Sequence, residues 1–319
     1  MMVGPKKYGT VGVLLGGPSA ERAISLKSGK AVAAALRGAG LTVIEIGEDE
    51  DIVAGLAARP PDVAFIALHG RFGEDGQIQK LLEERNIPYT GSGIEASRLA
   101  MDKVASRARF AAAGLAAPTF RAYGPGDGPS AAPFPFPVVV KPAREGSSIG
   151  LSLAKTARQF VKAVAFARRY DEVILVERYI PGREMTVGIL DDEPLPVVEI
   201  IPQNPFFDYD AKYVKGRSQF VVPAVLPAPV CRDIQRVGLT AHRALGCYAC
   251  SRADVILGRD GTPYILEINS IPGFTATSLL PQAAASAGMD FAALCRRLLD
   301  LALTRKNYRR SGSTKGGVS

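Results

Sequence analysis

The 319-residue sequence predicts an α/β protein in three regions, the first of them an open parallel sheet. Three observations carry this. Short apolar runs alternate with helical stretches over the first hundred or so residues. Further on, the apolar strand "VVVK" runs straight into a glycine loop, and near the C-terminus two apolar strands flank "GRDGT". Composition agrees, since 47% hydrophobic and 22% charged residues is ordinary globular usage. No stretch approaches the roughly 18 uninterrupted apolar residues of a membrane span, and "MMVGPKKYG" lacks the apolar core of a signal peptide. Four cysteines in a chain of this size do not make a disulfide scaffold, so a cytoplasmic location is expected.

The net charge of +8 raises nucleic acid as a partner, but its location argues against one. Arg305, Lys306, Arg309, Arg310 and Lys315 lie in a tail without acids, and Lys6 and Lys7 add two more charges at the other end. The body between is near neutral, so neither a nucleic-acid surface nor a membrane surface is expected. The Gly/Ser-rich tail, residues 305–319, reads as disordered.

Taken in order, residues 10–17 form a strand ending in glycines, followed by a helix to about Arg37. The strand "LTVIEI", a helix over 51–59 and the strand "DVAFIALHG" continue the βαβ rhythm of a first region, residues 1–98. Functional groups of such sheets gather beyond the strand C-termini, where Gly16, Gly17, Glu21 and His69 lie. A second region, 99–182, has a helix from Lys103 to about Ala113, a loop rich in Gly and Pro, "VVVK", the glycine loop, a helix over 156–170 and the strand "EVILVERYI". The third, 183–304, contains "EMTVGIL", "PLPVVEII", a long loop, a helix over 229–245 and the two strands around "GRDGT". Its last helix, 290–303, spaces Phe291, Leu294, Cys295, Leu298 and Ala302 as one packed face.

Several familiar signals fail. "GSGIEA" fits a dinucleotide fingerprint but follows no proper strand. "CYAC" has the spacing of a metal or redox pair, yet no second pair exists and the chain has only His69 and His242, so Cys247 and Cys250 read as core thiols. Neither a P-loop nor a G-x-S-x-G elbow is present.

The strongest constellation is "SRADVILGRDGTPYILEINSIPG". Asp260-Gly261 is a preferred two-residue hairpin turn, and with it Asp254 sits opposite Glu267 and Arg252 opposite Asn269. Alternation puts these four on one face, with Ala253, Val255, Leu266 and Ile268 on the other. Directly opposed carboxylates destabilise a strand pair, and a divalent cation reverses that sign. Asp, Glu and Asn offer only oxygen ligands, which suits Mg2+ holding nucleotide phosphates. The competing reading is a solvated face on which Arg252 pairs with the acids. Backbone N–H groups of the loop at Gly146, Ser147 and Ser148 then have phosphates to cover, with Lys141 and Lys103 adding positive charge.

Together these residues resemble the D-alanine–D-alanine ligases of the ATP-grasp superfamily, from about Val11 to Leu303. The resemblance rests on separated motifs in the family's order: "LLGGPSAER", "IALHGRFGEDG", "YTGSG", "MDK", "VVKPAREGSSIG", "YDAKY", "LEINSIPG" and "TSL". It implies a three-region ATP-grasp architecture and ATP between the second and third regions. Lys141, Glu177 and Ile180 would surround the adenine, Glu184 the ribose, and Lys103 and Lys212 the phosphates, beneath a lid carrying Ser147 and Ser148. Asp254, Glu267 and Asn269 match the ligands of two Mg2+ ions, with Mn2+ an allowed substitute. Glu21 matches the residue receiving the ammonium of a first D-alanine, and His69 lies near its carboxylate. Arg252 and the Gly273 N–H match the oxyanion donors, and Ser278 and Leu279 the site of the second carboxylate. Glu21, Ser147 and Tyr213 match a hydrogen-bonded set that closes the site.

The resemblance implies that a D-alanyl phosphate forms from ATP and is attacked by the amine of a second D-alanine, giving a dipeptide for peptidoglycan precursors. It also implies a homodimer. A sister ligase using D-lactate or D-serine is the nearest alternative, and Tyr213 favours the dipeptide enzyme. A noncatalytic nucleotide-binding protein on the same fold is more distant, because pure binding needs no oxyanion group such as Arg252.

Overall fold

The computed structural model describes residues 7–129, 131–202 and 218–312, with side chains described as far as Arg305. Strand β1 (Thr10–Leu14) runs parallel between β2 (Thr42–Ile46) and β3 (Val63–Ile66). β3 is buried along its whole length and β1 nearly so, as expected of a parallel sheet covered on both faces. Helices α1 (Arg22–Gly38) and α2 (Ile52–Ala58) alternate with these strands, and α3 (Gln77–Glu84) and α4 (Ile94–Met101) follow. Val11 and Val13 join Val32 and Leu36 of α1 in one core, while Leu14 and Ile66 join Leu56, Ile78 and Leu82 in another. α5 (Lys103–Ala112) starts at Asp102, whose carboxylate accepts from the N–H groups of Val104 and Ala105.

The second sheet is antiparallel, in the order β4 (Phe120–Tyr123), β7 (Ile174–Arg178), β5 (Val138–Pro142), β6 (Ser152–Ala154). Helix α6 (Ala157–Ala167) buries Phe160 and Ala163 against Val138, Val140, Ile174 and Val176. The glycine loop is the β5–β6 connection. β4 had no sequence signal, because this edge strand buries only Tyr123 and therefore carries no clear alternation.

The third sheet runs β11 (Ser218–Val221), β10 (Val198–Pro202), β8 (Gly182–Leu190), β12 (Cys250–Gly258), β13 (Pro263–Asn269), with the short β9 (Glu193–Pro194) beside β8. Helix α7 (Ala228–Ala244) packs Ile234, Val237 and Ala241 over Val187, Ala253 and Ile265. Helices α8 (Leu279–Ser286) and α9 (Phe291–Gly312) complete the chain. Leu294, Cys295, Leu298 and Ala302 of α9 join the core of α1 and the first sheet, so the C-terminus closes onto the N-terminal region.

Two expectations are corrected. The β12–β13 connection is not a two-residue turn. Gly258 N–H bonds to the Thr262 carbonyl around three residues, with Gly261 at φ +80°, which a glycine adopts without strain. The outer half of the hairpin is thus slipped by one, pairing Val255 with Ile265. A bulge at Leu266 restores the expected register, so Asp254 does face Glu267 and Arg252 faces Asn269. Leu266 consequently leaves the core face and lies on the cleft side with Glu267.

The second correction concerns only the first part of the tail, since α9 continues through Arg305 to Gly312; residues 313–319 lie outside the described ones. Arg305 lies over the rings of Tyr89 and Tyr248, 5.0 and 5.3 Å from their centroids, and its Nη1 donates to the Gly91 carbonyl at 3.0 Å. Each stacking contact contributes about 0.5–1 kcal/mol. Arg305→Ala is therefore expected to lower the melting temperature by about 2–5 °C. An unchanged melting curve would mean that the clamp adds nothing.

Candidate functional site

A cleft of about 320 Å³ opens between the second and third sheets. Val139, Lys141 and Glu177 come from one sheet, Glu184, Asp254 and Glu267 from the other. Ile180, in the link between β7 and β8, and Ser148 of the glycine loop also line it. The antiparallel sheets place these groups, because alternation turns every second residue of β5, β7, β8 and β12 toward the cleft.

One wall holds a buried charge cluster. Glu177 is 3% exposed and bonds Lys141 Nζ at 2.8 Å and Arg107 Nη2 at 2.8 Å. Burial alone would raise the Glu177 carboxyl, but the two cations outweigh it and hold it below the usual carboxylate range. Burial also pushes the Lys141 ammonium down, with Glu177 opposing that shift. The sequence reading did not single out Arg107. Its signal was available, since Lys103 and Arg107 are four apart on α5, hence on one helix face, and both are buried.

Opposite lie the acids of the β12–β13 hairpin. Arg252 grips Asp254 with Nε at 2.9 Å and Nη2 at 2.8 Å, and Thr186 Oγ1 donates to the same carboxylate at 2.8 Å. Asn269 Nδ2 donates to Asp254 at 3.1 Å, and Lys103 Nζ stands 3.4 Å from Glu267. Among the described residues no cluster of three His, Cys, Asp or Glu side chains forms a metal site, so the candidate set is two acids and an amide. Its donors are all oxygen and face one another across adjacent strands, which fits a hard divalent cation. Cys247 and Cys250 are the inert thiols expected, since burial pushes each up to about 12. His242 is buried too, with Nδ1 2.7 Å from Ser251 Oγ, and burial lowers it to about 4.

The glycine loop joins this cleft to the first sheet. Arg144 pairs with the buried Asp171 through Nε and Nη2 and fixes the base of the loop. Ser147 and Ser148 both adopt left-handed conformations, at φ 51° and 58°, which cost non-glycine residues energy and persist where contacts enforce them. The Ser147 hydroxyl bonds to the Glu21 carboxylate, and Lys103 Nζ donates to the Glu145 carbonyl at 2.7 Å. A Cβ at Gly146 would lie 3.0 Å from Glu21 Oε2, and one at Gly70 2.7 Å from it, so both glycines make room for that carboxylate. Arg71 adds a second tie from the first region to the loop, 2.7 Å from Glu145.

Behind Glu21, His69 is buried with Nε2 3.1 Å from Ser28 Oγ and Nδ1 3.5 Å from Glu74. Burial raises the Glu74 carboxyl and His69 partly offsets it. Gly273 lies beside Ser278, where a Cβ would come 3.2 Å from Ser278 Oγ. Ser278 begins α8, and its Oγ accepts from the Thr275 N–H at 3.1 Å. Leu279 packs half-buried against the core of the first sheet. Lys212 and Tyr213 lie outside the described residues. Of the other candidate residues, Lys141, Ser148, Glu177, Ile180, Glu184, Asp254 and Glu267 line the cleft itself. Ser28, Glu74, Glu145 and Thr186 were not singled out from sequence, since a single small or acidic residue in a helix, strand or loop carries no period of its own.

Known proteins share this sequence pattern and fold. The D-ala D-ala ligase C-terminus family matches residues 130–300, and the D-ala D-ala ligase N-terminus family matches 48–92. A D-alanine–D-alanine ligase of Geotalea uraniireducens is 49% identical over 94% of this chain and 97% of its own length. That of Geobacter sulfurreducens is 47% identical over 91% and 92%. The crystal structure of the D-alanine–D-alanine ligase from Bacillus anthracis complexed with ATP superposes with a TM-score of 0.81 at 28% identity, covering 94% of this chain and 99% of that one. A second structure of that enzyme gives 0.83 at 31% identity. With near-complete coverage by such relatives, and with a cleft between two antiparallel sheets that matches the ATP-grasp architecture, the chain belongs to the D-alanine–D-alanine ligase family.

Proposed function

We propose that the protein joins two D-alanine molecules at the expense of ATP, through a D-alanyl phosphate. The carrying observation is the in-register face of Arg252, Asp254, Glu267 and Asn269 beside a cleft roofed by the glycine loop. In this reading ATP occupies the cleft, its base near Lys141, Glu177, Ile180 and Leu266 and its ribose near Glu184. Lys103 and Lys212 neutralise the phosphates under Ser147 and Ser148. Asp254, Glu267 and Asn269 would hold two Mg2+ ions, which supply electrostatic stabilisation to a transferring phosphoryl group.

The chain's own groups account for the remaining requirements. Glu21 receives the ammonium of the first D-alanine, with His69 nearby for its carboxylate. Transfer of the γ-phosphoryl to that carboxylate makes a good acyl donor and releases ADP. The second D-alanine, its carboxylate at Ser278 and Leu279, attacks the carbonyl through its free amine, and phosphate leaves. Arg252 and the Gly273 N–H are assigned to the oxyanion of that step. The Ser147–Glu21 bond supports closure, which excludes water from the acyl phosphate, and Tyr213 belongs to the same set. Three domains with boundaries near 98, 182 and 304, a homodimer and a cytoplasmic location complete the proposal. No helix among the described residues is long and apolar enough to cross a membrane.

The test is ADP release with Mg-ATP and, separately, D-alanine, L-alanine, D-alanine plus D-lactate, or no amino acid, with products read by mass. ADP formed only with D-alanine, and dipeptide as the product, is expected. Depsipeptide in the mixed reaction would move the assignment to the sister ligase. ATP binding without turnover would leave only a nucleotide-binding protein.

A further inference from the structure

We propose that Ser28 is a positioning residue that ties the first substrate site to the oxyanion loop. Ser28 lies on α1, 1% exposed, and its hydroxyl serves two other segments of chain. Its Oγ is 3.1 Å from His69 Nε2, after β3, and it accepts the Phe274 N–H at 3.2 Å, in the loop after β13. One hydroxyl has a single proton and two acceptor sites, enough for both contacts at once. Phe274 uses one acceptor site, which leaves the proton and the other site for His69 Nε2. The serine donates to His69 when the imidazole proton sits on Nδ1, which faces Glu74 at 3.5 Å. Glu74, His69, Ser28 and the Phe274 N–H form one line of polar contacts through a buried region.

The line ends one residue beyond Gly273. The peptide plane between Gly273 and Phe274 is held by Ser28 at its nitrogen, while the Phe274 ring is locked against Phe65 at 5.4 Å and Phe291 at 6.2 Å. Gly273 has no side chain of its own to fix it. Without the Ser28 anchor the segment keeps its ring contacts but loses the bond that orients the adjoining backbone. Oxyanion stabilisation depends on donors placed before the reaction, so this defect should fall on the attack by the second amine. Phosphoryl transfer, which uses the cleft lysines, should be affected less, through His69 and at the level of the KM for the first D-alanine.

The inference rests on the ligase reading, and rapid-quench kinetics separate the two. Wild-type protein is run first, and failure to make dipeptide would overturn the ligase reading and this inference with it. In Ser28→Ala, ADP is expected to appear in a first-turnover burst of about one per enzyme, followed by a steady rate reduced about 10- to 100-fold. The KM for ATP should stay within about twofold, since no nucleotide contact changes. Burst and steady rate falling in the same proportion would indicate a merely structural role and overturn the proposal. So would full activity. Should Ser28→Ala fail to fold, Ser28→Cys fills the space with a much weaker hydrogen-bonding group and is read by the same criteria.

Discussion

Glu267→Gln is expected to reduce turnover by about 100- to 1,000-fold at saturating ATP, D-alanine and Mg2+. The substitution keeps shape and removes one of two facing negative charges. Asp254 remains, but it is gripped by Arg252 and bonded by Thr186 and Asn269, so little of its charge is left for a cation. Glu267 stands 3.4 Å from Lys103 Nζ, which the proposed phosphates would also engage. The loss should be partly recovered at high Mg2+ if binding is the main defect. Melting curves should be little changed, because relieving the opposition of two acids offsets the loss of the Lys103 pair. Wild-type activity at limiting Mg2+ would remove Glu267 from the metal set.

Glu177→Gln should act first on stability. It leaves the ammonium of Lys141 and the guanidinium of Arg107 in a dry wall without the carboxylate between them. Removing one partner of a buried ionic cluster costs about 3–5 kcal/mol. For a chain of this size that is on the order of a 10 °C fall in melting temperature. The pH dependence follows from the sign of the shift. Glu177 is held below its ordinary value, so its stabilising contribution is present above the unfolded carboxylate range and is lost as pH falls through the folded value. Wild-type protein should therefore lose more stability on acidification than the variant. Equal melting temperatures at pH 7 would show that Lys141 discharges in the variant and that the cluster is not obligatory.

What the sequence showed and what it hid divide along physical lines. The first sheet was legible because β1 and β3 are short apolar runs between helices, and a buried parallel strand leaves few other readings. β4 was illegible because only Tyr123 is buried. The shared face of Arg252, Asp254, Glu267 and Asn269 was found for a partly wrong reason, since the assumed turn was one residue too short and the bulge at Leu266 cancelled the error. Neither feature can be read from "GRDGTPYILEIN", where Asp-Gly suits both turn lengths. Arg305 was assigned to a solvated tail on charge and Gly/Ser content, and neither can report that two tyrosines from distant segments stack on it. Ser28 has no signal short of the fold itself, because the segments that it joins are 41 and 246 positions away along the chain.

The Leu266 bulge gives the hairpin a property that a regular strand lacks. Strict alternation would send neighbours to opposite sides, so a carboxylate and the apolar residue beside it could not both meet one ligand. Doubling up at Leu266 and Glu267 breaks that rule once. A molecule with an oily end and a cation-bearing end can then be read along one strand by two consecutive side chains, and the distance between its two halves is set by a single peptide unit. The slipped turn beyond serves as slack, which separates the length of the surface loop from the spacing at which the cleft is gauged.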